Sequence, residues 1–291
     1  MSRSALTVGM AQRVPLAIED PLAGFRDDVA RTLDAHPEIE LLVYPELHLH
    51  GTEHLPEPAR ERAAAEASVT IDDPFVRAIG SIAADFGIWL CPGSINERGP
   101  GEAYSNTQLL FAPSGELAGI YRKMFPWRPF EPHTPGTEFE VVDLGGYGSA
   151  GLSICYDAWF PEHSRQLAWL GADVVLNIVK TTSPDREQEL VLARANAIVN
   201  QNYVVSVNCA DPVGRGRSIA VDPEGHVLAE AGLGEDTLVI RVDRARAARI
   251  REQGTAGTNR VWKQFQPGDR EIALPLYAGR IDPATWEPGK R

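Results

Sequence analysis

The chain alternates short apolar runs, rich in Val, Ile and Leu, with longer segments in which apolar residues recur every three or four positions. The short runs predict buried β-strands and the longer segments predict amphipathic helices. The predicted strands are Ala5–Ala11, Leu41–Tyr44, Ile88–Ser94, Thr107–Phe111, Gly151–Cys155, Val174–Ile178, Tyr203–Asn208, Ser218–Asp222 and Leu238–Val242. The predicted helices are Pro21–Ala35, Pro74–Phe86, Pro161–Leu170, Arg186–Asn200 and Arg244–Arg251. This alternation predicts an α/β fold.

Two turn signals add antiparallel pairing to that fold. Pro113–Glu116 and Asp222–Gly225 each combine proline and glycine between apolar runs, which is typical of a tight turn joining two strands. The sheets are therefore predicted to be mixed and covered by helices. A chain of 291 residues is long enough to stack two such sheets face to face.

Composition predicts one globular domain, to which we assign residues 1–270. The chain is 43% hydrophobic and 23% charged, as ordinary globular proteins are. The remaining segment, Glu271–Arg291, contains three prolines and no helical period. We expect it to be an extended C-terminal arm that lies on its own domain or on a neighbouring subunit.

Charge and hydropathy argue against nucleic-acid-binding, membrane and secreted proteins. The formal net charge is −12 and the basic residues are scattered, which argues against nucleic acid or an anionic membrane as the main partner. No apolar stretch approaches membrane-spanning length, and the N-terminus lacks the pattern of a secretory signal, so the predicted location is cytoplasmic. Cys91, Cys155 and Cys209 are few and far apart, so we expect reduced thiols and no disulfide framework.

Three separated fragments end apolar runs with polar side chains, which is where strand ends of an α/β protein face a crevice. The fragments are Val43–Leu47, Tyr121–Trp127 and Ser153–Asp157. They supply the Glu46 carboxylate, the Lys123 amine and the Cys155 thiol. Together these groups can cleave a carbon–nitrogen bond through a thioester, with the acid moving protons and the ammonium stabilising an oxyanion.

Each of these residues also has a simpler interpretation. A cysteine that ends an apolar strand is usually a small buried hydrophobic residue, as we expect for Cys91 and Cys209. Cys155 differs because Tyr156–Asp157 follow it and Pro161 then opens a helix, which places the thiol on a strand-to-helix elbow. Glu46 taken alone is an exposed acid and Lys123 a solvated charge; burial of Glu46 would instead raise its pKa towards the range useful for proton transfer.

The segment His48–His54 suggests a competing metal site, because His-x-His places two rings on one face of an extended chain. The remaining histidines are His36, His133, His163 and His226. They form no second ligand cluster in the sequence, so a loop that lines the substrate site is favoured over a metal-dependent hydrolase. Nucleotide-binding and serine-hydrolase motifs are missing from the sequence.

Taken together, the fragments resemble the nitrilase superfamily of carbon–nitrogen hydrolases, in order, from Leu6–Gln12 to about Val242. The matching motifs are Tyr-Pro-Glu46-Leu, Tyr-Arg-Lys123, Ile-Cys155-Tyr-Asp and Ala193–Val204. The resemblance implies a four-layer αββα sandwich of the nitrilase type with mixed β-sheets. It also implies a homodimer or higher homo-oligomer, paired through helices near the cysteine as αββα–αββα.

The resemblance extends to the lysine region and assigns further roles. Pro126–Glu131 followed by Pro135–Gly136 is similar to the aliphatic-amidase form of that region, which implies that Glu131 is a second glutamate that holds Lys123 and positions the substrate. The backbone N–H of Tyr156 is the implied second oxyanion donor. The candidate substrate-binding residues are Trp127, Arg128, Trp159 and His48.

The residues after the thiol narrow the subclass. Nitrilases typically carry Cys-Trp-Glu, whereas this chain has Cys155-Tyr-Asp, so an amide is favoured over a nitrile. Carbamoylases that act on N-carbamoyl amino acids typically place arginine next, but Ala158–Trp159 stand here, which favours a neutral substrate. Cys155–Glu162 nevertheless also resembles enzymes of N-carbamoyl amines, and Arg128 is able to bind an acidic group, so that alternative remains open.

The resulting expectation is a cysteine-dependent amidase that hydrolyses a small neutral carboxamide to the carboxylic acid and ammonia through a thioester. No metal or organic cofactor is expected, and the partner is a small-molecule amide. A nitrilase is less favoured because of the residues that follow the thiol. A non-catalytic member of the fold is also less favoured, because a binding protein has no chemical reason to keep Glu46, Lys123, Glu131 and Cys155 together.

Overall fold

The computed structural model describes residues 5–101, 103–274 and 279–282. The strands are β1 Ala5–Gln12, β2 Leu41–Val43, β3 Trp89–Cys91, β4 Ser94–Arg98, β5 Tyr104–Phe111, β6 Leu117–Arg122, β7 Val141–Asp143, β8 Ser149–Ile154, β9 Val174–Val179, β10 Tyr203–Asn208, β11 Ile219–Val221, β12 Val227–Glu230 and β13 Asp236–Asp243. The helices are α1 Leu22–Ala35, α2 Glu57–Glu66, α3 Pro74–Phe86, α4 Pro161–Trp169, α5 Arg186–Asn200 and α6 Arg244–Gln253. The predicted α/β class is confirmed.

The described strands form two mixed sheets. The first has the order β13-β1-β2-β3-β5-β4, with β6 paired to β5, and its parallel pairs are β1 with β2 and β2 with β3. The second has the order β12-β11-β10-β9-β8-β7, with β8, β9 and β10 parallel to one another. In each sheet the parallel strands occupy the centre, so their carboxyl ends meet at one edge.

Four layers result from the way the sheets and helices bury their apolar faces. The inner faces of the two sheets share one core, in which Val43 of β2 and Leu152 of β8 are fully buried. The outer face of the first sheet packs against α1 and α3 through Phe25 and Ile79. The outer face of the second packs against α4 through Leu167 and against α5 through Leu190. The arrangement is the αββα sandwich that the resemblance implied.

One side chain links the two sheets at the centre of this core. Gln108 of β5 donates from Nε2 to the Leu176 carbonyl of β9 at 3.2 Å. Its Oε1 accepts the Ser153 N–H of β8 at 2.9 Å. The amide therefore satisfies two buried backbone groups and fixes the spacing between the sheets beside the end of β8.

Several sequence predictions are confirmed in detail. The bounds of α3 and α5 are those predicted, and both turns join antiparallel strands, with the Ala112 N–H donating to the Glu116 carbonyl at 2.8 Å in the first turn. The predicted strand Ile88–Ser94 is wrong as a single element. It is two strands, β3 and β4, because Pro92 and Gly93 interrupt the pairing between them.

Helix α2 and strands β6, β7 and β12 are absent from the predicted elements. Helix α2 consists of charged residues, alanine and one proline, and none of its residues is buried, so it has no apolar stripe for a periodicity argument to detect. Strand β7 has three residues, and β12 has no buried residue. Short or exposed strands carry little hydrophobic signal.

The predicted C-terminal arm lies mainly outside the described residues. Of 271–291, the structure describes 271–274, which are exposed and form neither helix nor strand, and 279–282. The first four residues of the chain also lie outside the described part, and β1 begins at Ala5. No described helix combines the length and apolarity needed to cross a membrane.

Candidate active site

Glu46 reaches the interior through the segment that follows β2. Leu47 adopts the left-handed conformation, with φ 52°, and its N–H donates to Ser94 Oγ at 2.9 Å. Gly93 permits this path, because a Cβ at that position would lie 2.0 Å from the Pro45 carbonyl oxygen. The Glu46 residue is consequently only 2% exposed.

Lys123 follows β6 directly, and its side chain is fully buried. Its Nζ donates to Glu46 Oε1 at 2.9 Å and to Glu131 Oε1 at 2.7 Å. Asn106 of β5 donates to the same Glu46 oxygen at 2.7 Å, and its carbonyl accepts the Lys123 N–H at 2.9 Å. Asn106 was not predicted as a site residue, because it lies in the polar half of β5, between Ser105 and Thr107, and before the predicted strand Thr107–Phe111.

A short loop returns Glu131 to the ammonium. Glu131 Oε2 accepts the N–H of Trp127 at 3.0 Å, so this carboxylate bonds to both the lysine and the loop. The Arg128 guanidinium donates to the Glu131 carbonyl and to the His133 carbonyl, the latter at 2.7 Å. The structure thus brings the predicted second glutamate to Lys123, and it uses Arg128 to brace the loop.

Burial and charge set the protonation states of this group. Burial lowers the pKa of Lys123, but the negative charges of Glu46 and Glu131, together with the hydrogen bond to Glu131, outweigh it and hold that pKa well above its usual range. Burial raises the pKa of Glu131, but the Lys123 charge and hydrogen bond bring it below the usual value. Burial raises the pKa of Glu46 despite the opposing ammonium, with the Glu131 charge adding to the rise. Glu46 is therefore the carboxylate that takes up a proton more readily.

Cys155 stands at a sharp turn between strand and helix. β8 ends at Ile154, and Cys155 begins the 3₁₀ helix Cys155–Trp159, after which α4 starts at Pro161. The cysteine has φ 47°, in the left-handed region that favours glycine. A non-glycine residue held there costs about 1–3 kcal/mol, and such strain is concentrated at functional sites. The predicted elbow is confirmed.

Cys155 is half-buried, and its sulfur lies next to a hydroxyl. Cys155 Sγ is 3.9 Å from Oγ1 of Thr181, which follows β9. Burial raises the pKa of the Cys155 thiol, the Glu46 carboxylate raises it further, and the Lys123 ammonium opposes both. The resting group is a neutral thiol, so nucleophilic attack requires a base to remove its proton.

A buried polar network joins the cysteine turn to the lysine segment. Asp157 Oδ2 accepts the Ile154 N–H at 2.9 Å and the Tyr121 hydroxyl at 2.8 Å. Its Oδ1 accepts the Phe125 N–H at 3.0 Å. The Tyr121 oxygen also lies 2.8 Å from His163 Nε2. Sequence reasoning assigned no role to Tyr121 or His163, because their contacts are formed only in the folded chain.

The two predicted tryptophans lie on the segments that carry the reactive groups. Trp127 packs its ring against Phe130, with centroids 4.4 Å apart. Trp159 ends the cysteine turn, and its ring lies 5.9 Å from that of Tyr156. Its indole Nε1 is buried and has no hydrogen-bond partner among the residues that the structure describes. The N–H of Tyr156 lies in the turn immediately after the sulfur.

The structure does not bring His48 to Lys123. Its ring stacks on Tyr44, with centroids 4.8 Å apart, and meets the edge of Phe25 on α1. Burial lowers the pKa of His48 to about 3. The imidazole is therefore neutral and packs in the layer between the first sheet and α1.

The other histidines of the segment have separate partners. His50 Nδ1 lies 3.3 Å from Asn96 Nδ2, and His133 Nε2 lies 3.0 Å from Asn96 Oδ1. His54 Nε2 lies 2.9 Å from a Glu19 oxygen near the surface. Asn96 therefore joins His50 to the loop that carries Glu131, whereas His54 belongs to a different contact.

In the described part of the chain, a group of side chains of the kind that bind metals lies outside the His48–His54 segment. Within residues 5–101, 103–274 and 279–282, Asp222, Glu224 and His226 bring ligand atoms within 4.8 Å of one another. The Arg246 guanidinium already donates to the Asp222 and Glu224 carboxylates, at 2.6 Å each. This cluster is an ion-paired turn between β11 and β12.

Comparison with known proteins gives consistent results. The sequence model described as carbon-nitrogen hydrolase matches residues 9–252. A formamidase from Pseudomonas syringae pv. tomato is 32% identical over 269 residues, which cover 86% of this chain and 75% of that protein. The structure of Saccharomyces cerevisiae Nit3, a member of branch 10 of the nitrilase superfamily, has a TM-score of 0.76 and 27% identity, and the match covers 86% of this chain and 94% of Nit3.

The amidase from Nesterenkonia sp. AN1 is also similar. A mutant of that amidase shows covalent addition of the acetamide moiety of fluoroacetamide at its active-site cysteine. This structure has a TM-score of 0.72 and 26% identity, and the match covers 86% of this chain and 95% of the amidase. Another mutant, in complex with butyramide, has a TM-score of 0.70 and 27% identity with the same coverage of 86% and 95%.

Proposed function

The chain belongs to the carbon–nitrogen hydrolase family, within the nitrilase superfamily, and from this premise we propose that it is a cysteine-dependent amidase. Its substrate is a small neutral carboxamide, which it converts to the carboxylic acid and ammonia. The observation that carries the proposal is the buried Lys123 Nζ, held 2.9 Å from Glu46 and 2.7 Å from Glu131, together with Cys155 on its strained turn. The named formamidase and the butyramide-bound amidase are relatives that support this substrate class.

The first half-reaction forms a thioester and releases ammonia. Glu46 takes the thiol proton of Cys155, and the sulfur electron pair attacks the amide carbonyl carbon. The negative charge that develops on the oxygen is stabilised by the Lys123 ammonium and by the backbone N–H of Tyr156. Glu46 then gives its proton to the amide nitrogen, the carbon–nitrogen bond breaks, and ammonia leaves.

The second half-reaction returns the free thiol. Glu46, again a carboxylate, takes a proton from water as the water oxygen attacks the thioester carbonyl. The same two donors, Lys123 and the Tyr156 N–H, stabilise the second oxyanion. The carbon–sulfur bond breaks, the sulfur recovers the proton from Glu46, and the acid departs.

The electrostatics of the site support these roles. The raised pKa of Glu46 suits a group that must both accept and donate a proton near neutral pH. The raised pKa of Lys123 keeps it charged as an oxyanion partner. Glu131, whose pKa is lowered, remains a carboxylate that orients Lys123 and accepts a hydrogen bond from the substrate amide.

The geometry around the site favours a neutral substrate over an N-carbamoyl amino acid. Arg128 was the cation available for a substrate carboxylate, and it donates instead to the carbonyls of Glu131 and His133. Ala158–Trp159 follow the cysteine motif in place of an arginine. A substrate carboxylate would therefore have to displace loop contacts, which a simple carboxamide does not require.

The exposed apolar surface of α4 and α5 supports a homodimer. Trp169 and Val191 are 70% and 65% exposed, and Leu170, Ile198 and Val199, on or next to the same two helices, are also exposed. Apolar patches of this kind mark protein interfaces. We propose that a second copy covers this surface, since α4 begins close to the cysteine turn and the pairing would stiffen it. Light scattering on the parent and on Val191→Glu tests this, with the exposed Leu228→Glu on β12 as the control.

Ammonia release from a panel of amides tests the activity. The panel contains formamide, acetamide, butyramide, an N-carbamoyl amine, an N-carbamoyl amino acid and matched nitriles, with Cys155→Ala beside the parent. We expect release from the simple amides, a loss of at least about a thousandfold in the variant, and an acyl mass increase on Cys155 in the parent alone. Release from carbamoyl compounds alone, or full activity of the variant, would contradict the proposal. Activity lost in chelator and restored by zinc would overturn the metal-free mechanism.

A further inference from the structure

A hydroxyl that the proposed mechanism does not use lies beside the nucleophile. Thr181 is buried just beyond the end of β9, and its Oγ1 is 3.9 Å from Cys155 Sγ. A thiol is a weak hydrogen-bond donor, and a hydroxyl oxygen has two lone pairs that can accept from it. The direction of this contact depends on where the threonine hydrogen points.

The other contacts of Thr181 settle that direction. Its Oγ1 lies 2.8 Å from both carboxylate oxygens of Glu189 on α5. An ionised carboxylate only accepts hydrogen bonds, so the threonine hydrogen points towards Glu189 and the lone pairs remain available to the sulfur. The chain of donors therefore runs from the Cys155 thiol to Thr181 and from Thr181 to Glu189.

Glu189 is itself held in place. Arg186, one turn earlier on α5, donates from Nη1 to Glu189 Oε2 at 2.9 Å and from Nη2 to the Arg217 carbonyl at 2.8 Å. Arg186 and Glu189 are both buried, so their geometry is fixed by packing as well as by charge. Arg186, Glu189 and Thr181, which lie outside the Glu46–Lys123 cluster, thus form a fixed series of hydrogen-bonded side chains that ends at the sulfur.

We propose that Thr181 is a positioning residue for the nucleophile: its hydroxyl oxygen, fixed by Glu189, accepts the Cys155 thiol hydrogen and sets the direction of the sulfur before the substrate binds. The inference rests on the proposed role of Cys155. It explains how a sulfur on a strained turn keeps one orientation, because a single rotatable bond separates the Cys155 backbone from Sγ and Thr181 provides a fixed acceptor at its end.

The charges around the sulfur give this role a measurable signature. Besides Thr181, the charged groups that act on Cys155 are Glu46, Lys123, Glu189 and Glu131. The oxygen of Thr181 is the negative end of its O–H dipole and faces the sulfur, so it favours the thiol over the thiolate. Removing it should make the thiol easier to ionise while leaving it less well oriented for attack.

Thr181→Val tests the proposal, because it removes the hydroxyl at nearly the same volume. We expect kcat on a simple amide to fall about tenfold with KM within about threefold. The midpoint of the pH profile for iodoacetamide alkylation should fall by about half a unit to one unit. Mass spectrometry locates the label on the Cys155 peptide, while Cys91 and Cys209 are fully buried. Thr181→Ser should restore both values, and Thr182→Val, at the exposed neighbouring threonine, should match the parent.

An unchanged kcat and alkylation midpoint in Thr181→Val would overturn the proposal, even if its melting temperature fell. Failure of Thr181→Ser to restore the parent values would also overturn it, since the hydroxyl would then not be the active group. If the valine variant does not fold, Thr181→Ala gives the same comparison without an apolar branch beside Glu189. Alkylation needs no amide turnover, so a parent that hydrolyses none of the amides would refute the proposed function and leave this test intact.

Discussion

The Tyr121 hydroxyl donates to Asp157 Oδ2 at 2.8 Å, and this bond connects the strand that leads to the lysine with the turn that begins at the cysteine. The two residues are 36 positions apart in the chain. Because one lies in the first sheet and the other follows β8 of the second, their bond spans the sandwich at the site itself.

Tyr121→Phe should weaken both the fold and the reaction. The change removes the hydroxyl that bonds to buried Asp157, which keeps the Ile154 and Phe125 N–H donors, and that lies beside buried His163 Nε2. We therefore expect the free energy of unfolding to fall by about 1–3 kcal/mol. We also expect kcat to fall about tenfold, because Lys123 and Cys155 lose a shared anchor. Urea unfolding and ammonia release measure the two effects.

Tyr147→Phe is the matched control. Tyr147 donates to Glu40 at 2.7 Å near the opposite ends of β2 and β8. We expect this variant to lose stability and to keep the parent kcat. Equal loss of kcat in both variants would mean that the Tyr121 bond acts on stability alone.

Replacing the buried cation should be more harmful than replacing its second carboxylate. Lys123→Met keeps the length of the side chain but removes the charge between Glu46 and Glu131, so we expect kcat/KM to fall by at least about a hundredfold. Glu131→Gln keeps one side-chain oxygen to accept from Lys123 but loses the second acceptor, which binds the Trp127 N–H, and should cost about tenfold in kcat/KM. Steady-state kinetics on formamide provides the comparison, and the reverse ranking would be inconsistent with an oxyanion role for Lys123.

The left-handed backbone at Cys155 predicts an unusual order of stability for two inactive variants, in which glycine at this position is more stable than alanine. At φ 47°, Cys155→Gly should be more stable than Cys155→Ala by about 1 kcal/mol, because glycine adopts this conformation without a Cβ clash. Urea midpoints measure the difference. At Ser153, within β8, the same pair should rank in the opposite order, and an identical order at both positions would argue against strain at the cysteine.

The buried imidazole of His48 predicts sensitivity to acid. Its pKa is about 3 in the folded protein and near 6.5 in the unfolded chain. Between these values only the unfolded chain binds the proton, so the free energy of unfolding falls as the pH drops below 6.5. At pH 4.5 this site alone lowers the free energy of unfolding by up to about 3 kcal/mol.

His48→Phe removes this titration and keeps an aromatic ring on Tyr44, so its stability should fall less between pH 7.5 and 5. Asp157, whose pKa burial raises to about 6, contributes the opposite slope between its unfolded value of 3.8 and about 6. That slope is present in both proteins and cancels in the comparison. Urea unfolding at several pH values measures the free energy of unfolding of both proteins. An equal loss of stability at low pH in the parent and in His48→Phe would refute the lowered pKa of His48.

The sequence was sufficient to locate the groups that end strands. Glu46, Lys123 and Cys155 each follow an apolar run, and the resemblance added Glu131; the structure places Glu46, Lys123 and Glu131 in direct contact. The two sheets and their covering helices were also predictable, because buried strands and amphipathic helices leave a strong periodic signal.

The supporting groups were not predictable, because their roles depend on pairings that folding creates. Asn106 lies in a fully buried strand, and its role depends on its hydrogen bond to Glu46, which is 60 positions away in the chain. Thr181 follows β9 and Glu189 lies on α5, and neither forms a motif with Cys155. Sequence likewise cannot show that Leu47 turns the chain so that His48 packs beside α1.

The division of the reactive groups between the two sheets has one consequence for how this protein loses function. Glu46 and Lys123 extend from β2 and β6, whereas Cys155 and Thr181 extend from β8 and β9. Sliding one sheet over the other by a fraction of a residue would separate the proton acceptor from the sulfur without breaking a single strand pair. The catalytic rate therefore depends sensitively on how the two sheets are aligned. Mild denaturant should abolish activity at concentrations at which the secondary structure is still intact.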